Sequence, residues 1–245
     1  NHKDQGQYVF MVTRQGIAKK CLLKNFSRPR SAGLIAVDLA ENDELVEVGL
    51  TDGQSDILLF TCAGKVIRFS EGHVRSMGRT ARGVRGIKLK SDQAVISMLI
   101  INSGLNGAKV LIATENGYGK RTPIADYPIK GRGNMGVINI KVTDRNGDVV
   151  TIARCHDGDD IMFITESGMI VRSPAIDLRP MGRNTQGVRL VNTKTKDAIV
   201  AAEIVRADDI EEEPVDTEEQ AGGEPSASDV TPSHESEGGD GEDKA

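Results

Sequence analysis

The stretch "VLIATENG" (residues 110–117) is a short apolar run that stops at Thr-x-x-Gly, and the chain contains this pattern four times. The glycines that close the four copies are separated by 48, 53 and 51 residues. A period of about 50 residues is typical of one blade of about four strands in a propeller-like fold. The other three copies are "YVFMVTRQG" (8–16), "ILLFTCAG" (57–64) and "IMFITESG" (161–168).

Each copy has the pattern of a buried strand that enters a hairpin, since glycine supplies the positive φ that a tight turn needs. A second strand, a Gly-rich loop and a further apolar strand follow each turn. The closing glycine of each loop lies 17 or 19 residues past the turn glycine, at Gly33, Gly83, Gly136 and Gly187. We therefore expect an all-β domain over residues 1–207 with four repeats, at about 8–54, 55–107, 108–158 and 159–206.

The loop "GRGNMG" (131–136) also matches the G-x-G-x-x-G motif of dinucleotide-binding proteins. That motif is informative only between a strand and a helix, because the pyrophosphate rests on the helix N-terminus. Here the following "VINIKV" alternates like a strand, and the equivalent loops "GRTARG" and "GRNTQG" lack the middle glycine. We therefore predict no cofactor in this chain.

Charge divides the chain into a basic body and an acidic end. Residues 208–245 hold 15 acidic residues and one basic residue, whereas residues 1–207 hold 30 basic and 21 acidic ones, a net charge of about +9. A positive body attracts phosphate groups. The acidic end is rich in Glu, Asp, Gly, Ser and Pro, a composition that is typical of disorder. We expect a disordered acidic tail over 208–245.

Three cysteines without C-x-x-C spacing favour a reducing compartment over a disulfide framework or a zinc site. The sequence has no apolar run of membrane-spanning length, and it begins with neither Met nor a signal peptide. We expect a cytoplasmic, bacterial, nucleoid-associated protein with no membrane partner. We also expect the sequence to begin inside a longer polypeptide.

Catalytic and metal sites are not indicated by the sequence. The four histidines lack ligand spacing, and "DRNGD" (144–148) resembles a calcium loop whose twelfth position, Cys155, offers no carboxylate. "CHDGDD" (155–160) gathers a cysteine, a histidine and three aspartates, but it falls where the repeats connect. We predict no catalytic residue and no metal ligand.

Basic residues, by contrast, recur in phase with the repeat. One follows each turn glycine by four positions, at Lys20, Arg68, Arg121 and Arg172, and others lie in each Gly-rich loop. Residues at the same position of successive blades lie on a common rim. The acidic residues do not share this phase, which favours a functional basic ring over an ordinary charged surface.

A curved basic rim suits duplex DNA, because neutralising phosphates releases counterions. With no Trp and only eight aromatic residues, stacking platforms for single strands are scarce. No recognition helix is indicated either, so we expect contact with the backbone of double-stranded DNA and specificity, if any, from its deformability.

The stretches "FSRPRSAGLIAVDL" and "SMGRTARGVRGIKL", with the repeated Thr-x-x-Gly strands, resemble the C-terminal domain of bacterial DNA gyrase A over residues 8 to about 206. This resemblance implies a β-pinwheel, a propeller-like disc whose blades exchange strands, which wraps duplex DNA around a basic rim. By repeat phase, the DNA-binding residues would be Lys20, Arg28, Arg30, Arg68, Arg79, Arg82, Arg121, Arg132, Arg172 and Arg183.

The resemblance further implies partners: the rest of gyrase A together with gyrase B, in an A2B2 heterotetramer that supercoils DNA with ATP and Mg²⁺ bound in other domains. The family's Gln-Arg-Arg-Gly-Gly-Lys-Gly box is absent and only four repeats are present, as expected for a fragment. No tyrosine follows an arginine, as the cleavage tyrosine does, so we expect no DNA cleavage and no ATP hydrolysis by this chain.

Several alternatives stay open from sequence. The domain could belong to the gyrase A counterpart in topoisomerase IV, or it could be a propeller-like scaffold whose basic ring binds an acidic protein. The acidic tail could compete with DNA for the rim or could simply improve solubility.

Overall fold

The computed structural model describes residues 6–29, 31–102, 107–193 and 197–207. Apart from four short 3₁₀ helices, the regular structure of these residues consists of β-strands. The expected tail, 208–245, lies outside the described residues. None of the helices described is long and apolar enough to cross a membrane.

Each repeat contributes three strands to an antiparallel blade, and each of the last three repeats contributes a further two-residue strand. We number the strands in chain order: β1 (Tyr8–Thr13), β2 (Ile17–Leu22), β3 (Leu45–Thr51), β4 (Asp56–Thr61), β5 (Lys65–Ser70), β6 (Val84–Arg85), β7 (Val95–Ile101), β8 (Lys109–Thr114), β9 (Tyr118–Pro123), β10 (Val137–Ile138), β11 (Val149–Cys155), β12 (Asp160–Thr165), β13 (Ile170–Pro174), β14 (Val188–Arg189) and β15 (Ile199–Val205). The 3₁₀ helices are Leu23–Phe26, Glu71–His73, Ile124–Asp126 and Ala175–Asp177.

The two-residue strands are exchanged between neighbouring blades. The sheet orders are β3-β1-β2-β6, β10-β5-β4-β7 and β11-β8-β9-β14, so the outer strand of each of these blades comes from the following repeat. The fourth sheet, β13-β12-β15, has three described strands. The expected all-β pinwheel is therefore confirmed, with an incomplete outer edge on blade 4.

The core consists of three clusters, one between each pair of successive blades. On β4, Ile57 and Leu59 pack in the cluster shared with blade 1, while Leu58 and Phe60 pack in the cluster shared with blade 3. A strand that is buried on both faces needs apolar residues at consecutive positions. This explains the continuous apolar runs that identify the repeats.

The turn glycines are required by the packing between blades. The carbonyl oxygens of Gly16, Gly64 and Gly117 each accept a hydrogen bond, 2.8 Å long, from a backbone N–H in the exchanged segment of the next blade. All three glycines have positive φ, and a Cβ on any of them would meet a carbonyl oxygen of that segment. Gly168 also has positive φ, but no described atom stands within 4 Å of its Cβ position.

Candidate nucleic-acid interface

The four basic residues that lie four positions after the turn glycines occupy the junctions between blades. Lys20 is buried, and its Nζ donates to the carbonyl oxygen of Glu71 at 3.0 Å and lies 3.5 Å from Glu71 Oε2. Glu71 is also buried and accepts hydrogen bonds from the Thr51 hydroxyl and the Gly53 and Ser55 backbone. Lys20 therefore links the second strand of blade 1 to the 3₁₀ helix of blade 2.

Arg68 makes the equivalent link between blades 2 and 3. Its guanidinium pairs with Asp56 at 2.8 Å and donates to the carbonyl oxygens of Ile124 and Tyr127 at 3.1 and 3.2 Å. Because the ion pair and both carbonyl bonds are partly buried, this guanidinium stabilises the blade junction.

Arg121 links blades 3 and 4 and is almost fully buried. Its Nε donates to the Leu178 carbonyl oxygen at 2.7 Å, and its Nη1 pairs with Asp157 at 2.7 Å. Arg172, in blade 4, pairs with Asp160 at 2.5 Å and is half exposed.

The expectation that these four residues form an exposed basic ring is therefore wrong. Two are buried, and all four lie next to carboxylates that neutralise them. In this conformation Lys20 and Arg121 are out of reach of a phosphate group. The reason is physical: sequence phase fixes a residue's place on a strand, whereas the neighbouring blade decides what its side chain meets.

The Gly-rich loops place a second set of arginines, Arg79, Arg132 and Arg183, at one equivalent position. Each donates through Nη1 to a carbonyl oxygen of the preceding repeat's exchanged segment, at Ile35, Arg85 and Ile138, with distances of 3.1, 3.1 and 2.8 Å. Among the described residues, no carboxylate forms an ion pair with them. Backbone carbonyl oxygens therefore fix each orientation, and the positive charge stays uncompensated.

The remaining predicted residues have different surroundings. Arg82 pairs with Asp38 at 3.0 Å, and both side chains are exposed. Arg28 is exposed, and no described carboxylate lies within ion-pair distance of it. Arg30 lies outside the described residues.

Further exposed basic residues flank the loop arginines. Arg75 and Arg179 lie at the same position of blades 2 and 4, four residues before Arg79 and Arg183, and Lys130 precedes Arg132 by two. All three are exposed. Their recurrence in the loops was the sequence signal for them, but it did not distinguish them from the buried set.

Two buried lysines hold the loops in place, and sequence reasoning missed them. Lys120 Nζ donates to the carbonyl oxygens of Gly182 and Arg183, at 2.7 and 2.5 Å, and to the Thr185 hydroxyl at 3.1 Å. Lys19 Nζ similarly donates to the carbonyl oxygens of Ala36 and Arg79. Burial, helped by the nearby Arg183 charge, lowers the pKa of Lys120 to about 8, and burial also lowers the pKa of Lys19.

Blade 3 carries an additional electropositive cluster, which consists of Tyr118, Arg145 and Arg189. The guanidinium carbons of Arg145 and Arg189 lie 4.7 and 4.9 Å from the centre of the Tyr118 ring. Arg189 also donates to the Tyr118 hydroxyl at 2.6 Å. Hydrogen bonding from Arg145 and Arg189 lowers the pKa of this tyrosine.

The motifs that suggested other chemistry are structural elements here. "GRGNMG" leads into strand β10, and a Cβ on Gly136 would meet the Val66 carbonyl oxygen. In "DRNGD", the buried Asn146 amide bonds the backbone of Thr143, Lys141 and Gln186 and so closes a turn. The aspartates of "CHDGDD" bond Arg121, His156 and Arg172. Over the described ranges, no group of three or more His, Cys, Asp or Glu residues could hold a metal ion.

Comparison with known proteins gives one consistent result. The family model described as "DNA gyrase C-terminal domain, beta-propeller" matches residues 7–52, 55–102, 108–156 and 159–206. The DNA gyrase A protein of Klebsiella oxytoca is 50% identical over 216 residues, which are 88% of this chain and 24% of that protein. The gyrase A protein of Escherichia coli K12 is 45% identical over 87% of this chain and 24% of its own length.

Two solved structures share the fold. The C-terminal domain of DNA topoisomerase IV superposes with a TM-score of 0.77 at 27% identity, covering 83% of this chain and 63% of that one. A DNA gyrase A C-terminal domain superposes with a TM-score of 0.71 at 23% identity, covering 82% and 66%. The chain spans about a quarter of the length of the gyrase A proteins that it matches.

Proposed function

The chain belongs to the DNA gyrase C-terminal domain family, and we propose that it binds double-stranded DNA along its Gly-rich loops and wraps it. The observation that carries this proposal is the equivalent placement of Arg79, Arg132 and Arg183. Each guanidinium is held by backbone carbonyl oxygens of the preceding repeat's segment and lacks a described carboxylate partner. A guanidinium has five N–H donors, so donors remain for a phosphate group.

The spacing of these arginines supports wrapping rather than a single contact. They recur once per blade, and flanking exposed residues, Arg75, Lys130 and Arg179, recur with them. A duplex that follows successive loops must bend. For 20 to 30 base pairs bent by 40 to 90° the cost is on the order of 1 to 6 kcal/mol. Charge-assisted hydrogen bonds of about 1.5 to 3 kcal/mol each offset this cost.

Contact is with the sugar-phosphate backbone. Tyr118 and Tyr127 are buried and Tyr8 is half-buried beneath the Lys20 ammonium, so none offers a free ring for base stacking. The same burial speaks against a cleavage role for Tyr118 and Tyr127. We therefore assign no catalytic step and no cofactor to this chain.

In the whole enzyme, the wrapped duplex would be presented for strand passage, which introduces negative supercoils. ATP and Mg²⁺ would act in other domains, and the partners would be the rest of gyrase A together with gyrase B, as an A2B2 complex in the bacterial cytoplasm, on the nucleoid. The alternative, a C-terminal domain of topoisomerase IV, is favoured by the structural match to that enzyme. The 50% identity to a gyrase A protein favours gyrase.

Wrapping is tested by DNA topology. Closed circular DNA is relaxed by a type I topoisomerase in the presence of the domain, deproteinised, and resolved by gel electrophoresis. A shift of the linking number that grows with protein concentration supports wrapping. Binding in a gel-shift assay without a change in linking number would reject wrapping and leave simple backbone binding.

A further inference from the structure

We propose that this chain associates head to tail with a second copy of itself, with blade 1 of one copy docked on blade 4 of the other. The proposal goes beyond the proposed function and does not depend on DNA. We call the side of a blade that packs against the preceding blade its leading face, and the side that packs against the following blade its trailing face.

The leading face of blade 1 is apolar and uncovered. Leu45 is 41% exposed, whereas the residues at the same position of the other blades, Val95, Val149 and Ile199, are 1%, 3% and 1% exposed. Val48 is 49% exposed, whereas its counterparts Met98, Ile152 and Ala202 are 2%, 8% and 4% exposed. The same apolar positions are thus covered in three blades and open in one.

The trailing face of blade 4 is open in a matching way. Ile170 is 58% exposed, whereas its counterparts Ala18 and Val66 are at most 1% exposed. Gly168 has no described atom within 4 Å of its Cβ position, while each of the other three turn glycines contacts the next blade. Arg172 bonds Asp160 alone, where Lys20, Arg68 and Arg121 also bond carbonyl oxygens of the next blade.

The strand that would complete blade 4 is present, unused, in repeat 1. Gly33 corresponds to Gly83, Gly136 and Gly187, which precede the exchanged strands β6, β10 and β14. Residues 34–38 form no strand, and no described atom lies within 4 Å of a Cβ placed on Gly33. In the register of Ala18 with Val84 and Ile17 with Arg85, Leu34 would pair with Ile170 and Ile35 with Met169.

The complementary surfaces lie at opposite ends of the repeat array and do not meet within the chain. Of the eleven exposed large apolar residues in the described part of the chain, nine belong to the first or fourth repeat. The way in which these surfaces fit is seen three times inside the molecule, at each blade junction. A second copy offers both the apolar face and the strand, and unpaired edges favour such pairing.

The proposal is tested with two single variants of the full chain, each of which blocks one end. V48D places a charge on the leading face, and I170D places one on the trailing face. In sedimentation velocity without DNA, we expect the wild type to form dimers and longer species as concentration rises. Each variant alone should associate at least about tenfold more weakly, because a buried unpaired carboxylate is costly.

Mixing the two variants distinguishes head-to-tail docking from general stickiness. I170D keeps an intact leading face and V48D keeps an intact trailing face, so the mixture should form a 1:1 dimer and nothing larger. I129D is the control, since Ile129 is 57% exposed but lies between the ends, and it should associate like the wild type. Circular dichroism verifies that all variants are folded.

Three outcomes would overturn the proposal. One is a wild type that stays monomeric at every concentration. Another is a mixture that forms no dimer although both variants are folded. The third is a monomer whose melting temperature falls in both end variants at any concentration, which would indicate closure within one chain.

Discussion

The backbone of Gly64 in blade 2 lies against that of Ile140 in blade 3. The Ile140 N–H donates to the Gly64 carbonyl oxygen at 3.2 Å, and the Ile140 carbonyl oxygen occupies the place next to Gly64 where a Cβ would stand. Gly168 has the same turn and a similar positive φ but no described neighbour within 4 Å of its Cβ position. This pair of glycines separates the strain of a turn from the packing of blades.

We expect Gly64→Ala to lower the free energy of unfolding more than Gly168→Ala does. Both substitutions place an L side chain at positive φ, which costs about 1 to 2 kcal/mol. Only Gly64→Ala also forces two blades apart, which adds about 1 to 3 kcal/mol. Urea denaturation measures both, and equal losses would mean that the blades do not pack as described.

The buried carboxylate of Glu71 should be much more important for stability than an exposed one. It accepts bonds from Thr51, Gly53 and Ser55 and lies beside the Lys20 ammonium, so Glu71→Ala should cost about 3 to 5 kcal/mol. Asp38→Ala, which removes the exposed partner of Arg82, should cost at most about 1 kcal/mol. Chemical denaturation of the two variants checks the difference, and a cost below that of Asp38→Ala would refute the Lys20–Glu71 link.

Lys120 should give the domain a distinctive dependence on pH. Its pKa is lowered to about 8 in the folded state from 10.5, mainly by burial, so between these values the unfolded state binds more protons. Stability linked to Lys120 should therefore rise as pH increases from about 8 to 10.5. The comparison is the free energy of unfolding of wild type against K120M across this range. The wild type should gain relative to K120M, and a parallel pH profile would contradict the burial of the charged group.

The fold was predictable because a buried, repeated strand leaves a strong sequence pattern. Thr-x-x-Gly fixed the hairpins, and the Gly-rich loops fixed the spacing of the exchanged strands. The incomplete edge of blade 4 was not predicted, because no sequence signal marks which blade supplies the outer strand of a sheet.

The candidate interface was only partly predictable. Arg68, for example, is in phase with the repeat, but its neutralising carboxylate, Asp56, is replaced by Lys109 in blade 3 and by Tyr8 in blade 1. The carboxylates beside Arg121 and Lys20 come from a linker and from the next blade, so they share no sequence phase. The apparent lack of in-phase acids therefore favoured a basic ring that the structure does not contain at these positions. Lys120 was missed for a similar reason: its oxygen partners lie about sixty residues away.

The central claim is that the carbonyl-held loop arginines, rather than the ion-paired ones, contact DNA phosphates. Two triple variants of equal charge compare them. R79A/R132A/R183A removes arginines without a described carboxylate partner, and R14A/R82A/R172A removes arginines paired with Glu44, Asp38 and Asp160.

The most direct test is the salt dependence of duplex binding by these two variants, measured by fluorescence anisotropy. If each loop arginine contacts one phosphate, the slope of log K against log salt should shrink by about 0.9 per arginine in R79A/R132A/R183A. The slope of R14A/R82A/R172A should stay close to that of the wild type. Equal losses in both variants would show that net charge alone drives binding and would contradict the assignment of the loop arginines.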